Sequence, residues 1–256
     1  MGYALVTGAS RGIGAALAAA LAADGRDLIL TARGADDLER LRQQLLRPGR
    51  RIECVPADLS RPAGAGELLD QVGARGWEVD LLINNAGLGS GGEFDRLGLE
   101  RELEEVQVNV AAAVALTHGV LAEMRRREHG AIVQVASTAA FQPVPYMATY
   151  AATKAFLLHF SLALWAEARA AGIHVMALCP GPTQTNFFAA AGIPARRGQT
   201  PQQVAALALR GLKARRPIVV CGGANRMLAA SVRWLPRAAA ARSAGWVMRN
   251  WQQGRL

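Results

Sequence analysis

The chain has 256 residues, of which 51% are apolar and 19% are charged. This length suits one large domain, and this composition excludes disordered, collagen-like and mucin-like proteins. The net charge of +9 is unevenly distributed, because residues 1–167 hold 16 basic and all 20 acidic residues, whereas residues 168–256 hold 13 basic and no acidic residues. This asymmetry favours an anionic ligand or surface near the C-terminal part.

The cysteines and the N-terminus narrow the class of protein. Cys54, Cys179 and Cys221 are an odd number without CxxC spacing, which predicts neither a disulfide framework nor a zinc site. The start MGYALVTGAS has neither the basic beginning nor the long apolar stretch of a secretory signal. No apolar run approaches the roughly 18–20 residues of a membrane span. We therefore expect a reduced cytoplasmic protein without a metal site.

Short apolar runs typical of buried parallel strands alternate along the chain with segments of helical period. The predicted strands are Tyr3–Thr7, Asp27–Ala32, Ile52–Pro56, Val79–Asn84, Ala131–Ala136, Ile173–Leu178 and Pro217–Cys221. The predicted helices are Ile13–Ala23, Asp36–Leu46, Arg101–Arg127, Thr149–Ala171 and Pro201–Ala214. Repeated strand–helix units indicate an α/β fold, a doubly wound and mostly parallel seven-stranded sheet with helices on both faces.

The pattern changes after Gly223, where two helical segments rich in arginine and tryptophan are separated by Pro236. We therefore divide the chain into a domain of residues 1–222 and a C-terminal helical extension of residues 223–256.

The first predicted strand runs directly into a glycine-rich turn and a helix. Gly8 permits a tight turn, Gly12 allows the backbone to approach a pyrophosphate, and Gly14 allows close packing of helix and strand. The helix start then offers free N–H groups to an anion. Glycines also occur in ordinary turns, but the position between strand and helix favours a dinucleotide site. The residues between the glycines, Ser10, Arg11 and Ile13, belong to the same predicted site.

Further motifs follow later strands in a fixed order. They are Asn84-Asn85-Ala86-Gly87, Ser137, Tyr150-Ala151-Ala152-Thr153-Lys154 and Pro180-Gly181-Pro182-Thr183-Gln184-Thr185. Together with the TGxxxGxG turn, these motifs resemble the short-chain dehydrogenase/reductase family over about residues 3–222. The resemblance implies a Rossmann-type fold, a nicotinamide dinucleotide, and hydride transfer between that cofactor and a carbonyl or alcohol group.

Tyr150 and Lys154 are spaced i and i+4, so on a helix both side chains lie on one face. A free phenol has a pKa of about 10, too high for acid–base work near neutrality. Lowering the pKa by roughly 3 units takes about 4 kcal/mol, and an ammonium about 4 Å away supplies about that much at an effective dielectric of 20. We therefore expect Lys154 to lower the pKa of Tyr150.

The resemblance assigns roles to four residues. Tyr150 exchanges a proton with the substrate oxygen, and Lys154 lowers the pKa of the phenol and binds the nicotinamide ribose. Ser137 hydrogen-bonds the substrate oxygen, and Asn109 helps to hold a proton-relay water. Thr138 is an alternative hydroxyl to Ser137, whereas Tyr146 has no lysine four residues later.

The end of the second strand bears on the choice of cofactor. An acidic residue there binds the 2′-hydroxyl of NAD, and an arginine accommodates the 2′-phosphate of NADP. Here Ala32 occupies that position and Arg33 follows, with Arg11 as a second cation in the glycine turn. This pattern predicts NADP(H), the alternative being that both arginines are solvated. By resemblance, the remaining cofactor contacts are Asp58, Leu59, Asn85, Ala86, Gly87, Pro180, Gly181, Thr183 and Thr185.

The segment Asn186–Pro194 lies where the family builds its substrate lid, and it is apolar, with Arg196 and Arg197 just beyond. It favours a lipophilic small-molecule carbonyl or alcohol substrate, such as a ketone, a steroid-like or a 3-oxoacyl compound. The alternative is a catalytically silent dinucleotide sensor or scaffold. The basic C-terminal half contains no recognisable nucleic-acid module, and we predict no nucleic-acid partner.

Two interaction surfaces are also predicted. The helices Arg101–Arg127 and Thr149–Ala171 resemble those that pack across a two-fold axis in the family, which implies a homodimer or homotetramer. In the tail, Arg226, Arg233 and Arg237 fall on one helical stripe flanked by Trp234 and other apolar residues. Such a pattern is typical of peripheral membrane contact. The alternative is that the tail packs on the protein and covers the substrate pocket.

Overall fold

The computed structural model describes residues 2–194 and 198–252, so Arg196, Arg197 and Arg255 lie outside the described residues. Its seven strands are β1 Tyr3–Thr7, β2 Asp27–Thr31, β3 Ile52–Cys54, β4 Val79–Asn84, β5 Gly130–Val135, β6 Ile173–Cys179 and β7 Ile218–Val220. They form one sheet of order β3-β2-β1-β4-β5-β6-β7, and every neighbouring pair is parallel. The predicted doubly wound fold is confirmed, with a fully parallel sheet.

The helices are α1 Gly12–Ala23, α2 Ala35–Leu45, α3 Gly64–Ala74, α4 Leu99–Val106, α5 Ala112–Arg126, α6 Ala148–Ala168, α7 Phe187–Ala190, α8 Pro201–Lys213, α9 Gly223–Ser231 and α10 Arg237–Gln252. Helix α3 was not among the predicted helices, because Gly64, Gly66 and Gly73 lower its intrinsic helix propensity. It forms because its apolar face, with Leu68 and Val72, is buried against the sheet.

Alternate side chains of the central strands enter two separate hydrophobic cores, as the strand period of two requires. In β2, Leu28 and Leu30 pack beneath α1, α2 and α8, whereas Ile29 packs beneath α3 and α5 on the opposite face. All strands point the same way, so their carboxyl ends lie along one edge of the sheet. The strand order changes direction between β1 and β4, which is where open α/β sheets bind ligands.

The predicted helix Arg101–Arg127 is interrupted by a π-helical segment, Gln107–Ala111, between α4 and α5. Such π-bulges insert one residue into a helix and are frequent at functional sites. Leu99–Arg126 is also the one helical stretch, within the ranges described, that could cross a membrane by length and composition. The expectation that no stretch would qualify was wrong, although the stretch forms part of the packed fold and 44% of its most apolar window is buried.

The C-terminal extension consists of α9, a 3₁₀ turn Val232–Trp234, and α10, with the break at Pro236 as expected. The predicted arginine stripe was wrong, because Arg226, Arg233 and Arg237 belong to three different segments. A helical wheel drawn across the turn and Pro236 therefore places side chains together that do not share one face.

Candidate active site

A continuous cleft of about 1980 Å³ runs along the carboxyl edge of the sheet. One end is lined by the glycine turn and the ends of β2 and β3, and the other by Ser137, Tyr150 and residues of α7 and α10. Ligand pockets for drug-sized molecules are typically about 300–1,000 Å³. The cleft is therefore large enough for a dinucleotide together with a substrate.

The glycine turn has the backbone that a pyrophosphate site needs. Gly8 and Gly12 have φ values of 61° and 58°, in the left-handed region that favours glycine. A Cβ atom at Gly14 would lie 2.2 Å from the carbonyl oxygen of Gly8. No side chain caps the first turn of α1, so its N–H groups face the cleft beside Ser10 and Ile13. These features fit the phosphates of a dinucleotide.

A hydrogen-bond network fixes the glycine turn to the end of β4. The Asn85 side-chain amide donates to the carbonyl oxygens of Thr7 at 2.9 Å and Gly8 at 3.1 Å. The Thr7 hydroxyl accepts from the backbone N–H groups of Asn85 and Ala86. Asn85 is therefore first of all a residue that positions the turn, while Asn85, Ala86 and Gly87 also line the cleft.

Arg33 and Arg11 are exposed at the edge of the cleft. Arg33 Nη1 lies 3.6 Å from a carboxylate oxygen of Glu104 on α4, a long and solvent-exposed ion pair. Asp58 and Leu59 line the same end. The Asp58 carboxylate accepts hydrogen bonds from Ser60, which, helped by Arg33 and Arg61, hold its pKa below the usual value.

Tyr150 and Lys154 lie on one face of α6, beside the end of β5. Lys154 is buried, and its Nζ donates a 2.8 Å hydrogen bond to the Val135 carbonyl and lies 5.7 Å from the centroid of the Tyr150 ring. The Ser137 hydroxyl accepts from the Ala139 N–H, and its side chain lies close enough to the Tyr150 phenol to act on the pKa of that phenol. Ser137, rather than Thr138, is therefore the hydroxyl beside Tyr150.

The pKa values differ from the expected pattern. Loss of water around the phenol raises the pKa of Tyr150 to about 12, against a smaller lowering by the Ser137 side chain. Burial likewise lowers the pKa of Lys154 to about 8, against the opposing charge of Glu105. In the protein alone, desolvation outweighs the effect of Lys154, whose ammonium hydrogen-bonds the Val135 carbonyl, so the expected net lowering of the phenol pKa does not occur there.

Asn109 lies in the π-helical segment and is fully buried. Its side chain exchanges two hydrogen bonds with the backbone of Leu88, at 2.8 Å and 3.0 Å, and donates a third to the Thr153 hydroxyl. A Cβ atom at Gly87 would lie 3.3 Å from both Asn109 Oδ1 and Lys154 Nζ. Asn109 therefore connects the loop after β4 with α6, close to Lys154.

The loop after β6 forms the opposite wall of the cleft. The carbonyl of Pro180 accepts from the Thr138 N–H, and the Thr183 hydroxyl donates to the Gly181 carbonyl. A Cβ atom at Gly12 would lie 3.1 Å from Thr185 Cγ2, so Thr185 faces the glycine turn directly. The four predicted residues of this loop, Pro180, Gly181, Thr183 and Thr185, all line the cleft.

An apolar wall adjoins the Tyr150 phenol. The rings of Tyr150, Phe187, Phe188 and Trp251 follow one another with centroid distances of 5.1, 5.7 and 5.5 Å. Met147, Ile193 and Met248 belong to the same cluster. The C-terminal helix α10 thus covers this end of the cleft, which is the packing alternative considered for the tail.

Sequence reasoning missed several residues at the site. Glu102 and Glu105, on α4, are buried; the charge of Glu105 acts on Lys154, and the Ser90 hydroxyl donates to Glu105. Asn225, on α9, lies against Gly181. The spacing of Glu102, Glu105 and Asn109, at i, i+3 and i+7, was a signal that the two glutamates share the inward face of the helix.

Comparisons with known proteins agree with this geometry. The family model described as short chain dehydrogenase matches residues 2–193. The chain is 33% identical over 195 residues to 3-oxoacyl-[acyl-carrier-protein] reductase FabG of Escherichia coli, covering 76% of this chain and 79% of that protein. It is 35% identical over 227 residues to a putative ketoacyl reductase of the monensin polyketide synthase from Streptomyces virginiae, covering 80% and 87%.

Solved structures show the same likeness across the tail. A short-chain dehydrogenase from Sphingobium yanoikuyae in complex with NADPH superposes with a TM-score of 0.83 at 31% identity, covering 95% of this chain and all of that chain. A bulky-bulky ketone specific alcohol dehydrogenase from Comamonas testosteroni gives a TM-score of 0.79 at 27% identity, covering 95% and 98%. The protein therefore belongs to the short-chain dehydrogenase/reductase family and is an oxidoreductase of carbonyl and alcohol groups that uses a nicotinamide dinucleotide.

Proposed function

We propose that the protein reduces lipophilic carbonyl compounds with NADPH and that Tyr150 provides the proton. The observation that carries this proposal is the position of the Tyr150 phenol, between the Ser137 hydroxyl and the Phe187 ring that begins the apolar wall. A carbonyl oxygen placed at the phenol and the Ser137 hydroxyl would direct the rest of an apolar substrate onto that wall.

A reduced nicotinamide dinucleotide held in the cleft would supply the hydride to the carbonyl carbon. Tyr150 donates its proton to the developing alkoxide, which the Ser137 hydroxyl stabilises by a hydrogen bond. Lys154 stabilises the resulting phenolate electrostatically, since its ammonium lies on the same face of α6. Asn109 holds the loop after β4 in place beside Lys154.

The residues named for the dinucleotide are Gly8, Ser10, Arg11, Gly12, Ile13, Gly14, Arg33, Asp58, Leu59, Asn85, Ala86, Gly87, Pro180, Gly181, Thr183 and Thr185. Preference for NADP(H) is supported by Arg33 and Arg11 at the edge of the cleft and by Ala32 in place of an acid. The relative solved with NADPH is similar in 95% of this chain.

The substrate class is supported by the apolar wall and by the relatives. Phe187, Phe188, Met248 and Trp251 offer apolar and aromatic surface without an acidic group. Relatives named as ketoacyl reductases and as a bulky-bulky ketone specific alcohol dehydrogenase have substrates of the proposed kind. We therefore include aryl and alkyl ketones, steroid-like ketones and 3-oxoacyl thioesters in the proposal.

Substitution of Tyr150 by phenylalanine tests the proposed function. With NADPH and a panel of such carbonyl compounds, the wild-type protein should oxidise NADPH, and Tyr150→Phe should lose at least the roughly 10²–10⁴-fold in kcat that a general acid contributes. NADPH binding, followed by its fluorescence, should survive because the phenol acts on the substrate. Full turnover by Tyr150→Phe would exclude this mechanism.

We also propose that the protein is a cytoplasmic homodimer or homotetramer. On α6, Ala152, Phe156, His159 and Ala163 are exposed at helical spacing, and Leu99 and Leu103 are exposed on α4. An exposed stripe of small and apolar residues on long helices favours self-association over solvent contact.

Peripheral membrane contact is proposed for the segment around α9 alone, because α10 packs over the cleft. Met227 and Trp234 are 75% and 89% exposed beside Arg226 and Arg233. The wild-type protein should sediment with anionic vesicles at low salt, and a Met227→Ser/Trp234→Ser variant should not. Equal sedimentation of the two proteins, or no salt-sensitive sedimentation of the wild type, would contradict this contact.

A further inference from the structure

Two buried carboxyl groups lie on the inward face of α4, one and two helical turns before Asn109. Glu105 is 0% exposed and Glu102 is 5% exposed. A buried carboxylate is costly unless charge and hydrogen bonds compensate it. Buried ionisable groups next to an acid–base site are candidates for a functional role.

Each carboxyl group has one hydrogen-bonded oxygen and one without a partner. The Ser90 hydroxyl donates to Glu105 Oε2 at 2.9 Å, and the Thr149 hydroxyl donates to Glu102 Oε2. Oε1 of Glu105 and Oε1 of Glu102 are buried and have no hydrogen-bond partner among the described residues. Unsatisfied buried oxygens of this kind are normally occupied by a proton or by an ordered water.

The charges that act on Glu105 come from two helices, α4 and α6. Lys154 on α6 and Arg101 on α4 favour its ionised form, as does the Ser90 hydrogen bond from the loop after β4. Burial and the neighbouring Glu102 oppose them, and together they raise the pKa of Glu105 to about 7. The pKa of Lys154 is lowered to about 8. The two shifts bring the pKa of the Glu105 acid and the pKa of the Lys154 ammonium closer together than their ordinary values are.

Asn109 and Lys154 both lie beside Gly87. A Cβ atom at Gly87 would approach Lys154 Nζ and Asn109 Oδ1 equally, at 3.3 Å. Asn109 follows Glu105 by four residues, so the two side chains project from successive turns of the same helix. Glu105, Asn109 and Lys154 are thus all buried on this side of the site, and the charge of Lys154 acts on Glu105.

We propose that Glu105 is a proton-holding positioning residue that restores the proton of Lys154 after each reduction; this role rests on the proposed function. In the reductive direction, Tyr150 loses its proton to the substrate oxygen and regains one from the Lys154 ammonium. The neutral Lys154 amine then takes the proton of the Glu105 carboxylic acid through water. The Glu105 carboxylate is finally protonated from solvent, so one proton is consumed per carbonyl group reduced.

The first test replaces Glu105 by glutamine, which retains the size and the Ser90 contact but cannot titrate. Reduction by the wild-type protein should decline as pH rises through about 7, since Glu105 must be protonated to act. In Glu105→Gln this limb should disappear and kcat should fall on the order of tenfold, less than for removal of a direct acid. Glu100→Gln, at an exposed position of the same helix, is the matched control and should behave as wild type.

Two further variants keep Glu105 and shift its titration in opposite directions. Glu102→Gln removes a neighbouring negative charge and should move the limb to lower pH, whereas Ser90→Ala removes a hydrogen bond to the carboxylate and should move it to higher pH. A residue with only a structural role would not produce opposite shifts. Carbon-13 spectra of protein labelled in its glutamate carboxyl groups supply a readout independent of turnover, in which one carboxyl titrating near pH 7 should vanish in Glu105→Gln.

The outcomes separate the two proposals. If the wild-type protein reduces carbonyl compounds and Glu105→Gln folds with an unchanged pH profile, the role of Glu105 is wrong and the proposed function stands. If Glu105→Gln does not fold, the pH profiles of Glu102→Gln and Ser90→Ala decide. If the rates of both variants decline at the same pH as the wild-type rate, the role of Glu105 is wrong and the proposed function stands. If the wild-type protein reduces no carbonyl compound with either dinucleotide, both proposals fail.

Discussion

Individual side chains of this protein act through charge, and Arg33 is the clearest case. Arg33 follows the end of β2, and its guanidinium forms only an exposed ion pair of 3.6 Å with Glu104. Such pairs contribute roughly 0–1 kcal/mol, so an anion that offers better hydrogen bonds can replace Glu104. A phosphate at the 2′-position is an anion of that kind.

Arg33→Asp is therefore expected to reduce or reverse the preference for NADPH over NADH. A charge-assisted hydrogen bond contributes roughly 1.5–3 kcal/mol, so the ratio of kcat/KM for the two cofactors should change by about 10- to 150-fold. The matched control is Arg47→Asp, an exposed arginine between α2 and β3 that does not line the cleft. Equal use of the two cofactors by the wild-type protein would show that Arg33 is a solvated surface group.

The raised pKa of Glu105 also predicts how the stability of the fold depends on pH. A carboxyl group whose pKa is raised in the folded chain binds its proton more tightly when folded, so stability declines as pH rises from about 4.5 towards 7. Glu105→Gln removes this loss and should melt at least about 2 °C higher than wild type at pH 8, given roughly 2–4 °C per kcal/mol. The difference should vanish near pH 4. Scanning fluorimetry decides this, and a lower Tm of the variant at pH 8 would contradict it.

At the scale of elements, the site depends on close contacts between backbones. The turn from β1 into α1 approaches the end of β4 so closely that Gly8 and Gly14 have no space for a side chain. The π-helical segment between α4 and α5 aligns Asn109 with the loop after β4. The glycine turn thus joins the ends of β1 and β4, and Asn109 joins the loop after β4 to α6.

Gly14→Ala should consequently weaken both the fold and the dinucleotide site. Its Cβ would lie 2.2 Å from the Gly8 carbonyl oxygen, so the turn must move, at a cost of about 1–3 kcal/mol for an overpacked position. We expect a lower Tm and an NADPH affinity reduced by tenfold or more. Gly66→Ala, in α3 with no atom within 4 Å, should instead stabilise by about 0.5–1 kcal/mol. Unchanged NADPH binding in Gly14→Ala would show that the turn is not the pyrophosphate site.

At the scale of the whole molecule, apolar surface is distributed unevenly. Most large apolar side chains are buried in the two cores, but α4 and α6 expose three of them, Leu99, Leu103 and Phe156. Buried apolar surface stabilises by roughly 25 cal/mol per Å², which favours a second copy of the chain as the partner of these helices.

Ala163→Glu tests this assembly. The residue is exposed in the middle of α6, where a charge facing a partner's helix would be desolvated without a counterion. We expect the wild type to sediment as a dimer or tetramer at micromolar concentration and the variant to sediment as a smaller species. Ala74→Glu, exposed at the end of α3, should leave the assembly unchanged. A monomeric wild type would contradict the prediction.

Local sequence determined most of the fold and part of the site. The period of two in the strands, the glycines between β1 and α1, and the i, i+4 spacing of Tyr150 and Lys154 are properties of short segments, and each was recognisable without neighbours. The strand ends predicted from apolar runs differ from the structure by at most two residues, as for β3, where Val55 and Pro56 lie beyond the paired strand.

Only the tertiary structure decided the properties that depend on contacts between distant segments. The helix α3 forms despite three glycines because the sheet buries its apolar face. The pKa of Tyr150 is raised rather than lowered because desolvation depends on everything packed around the phenol. The proposed role of Glu105 depends on two distant residues. Ser90, 15 residues earlier, donates a hydrogen bond to its carboxyl group, and the charge of Lys154, 49 residues later, acts on it. The sequence specifies which chemical groups exist, and packing alone specifies which of them lose water and act on one another.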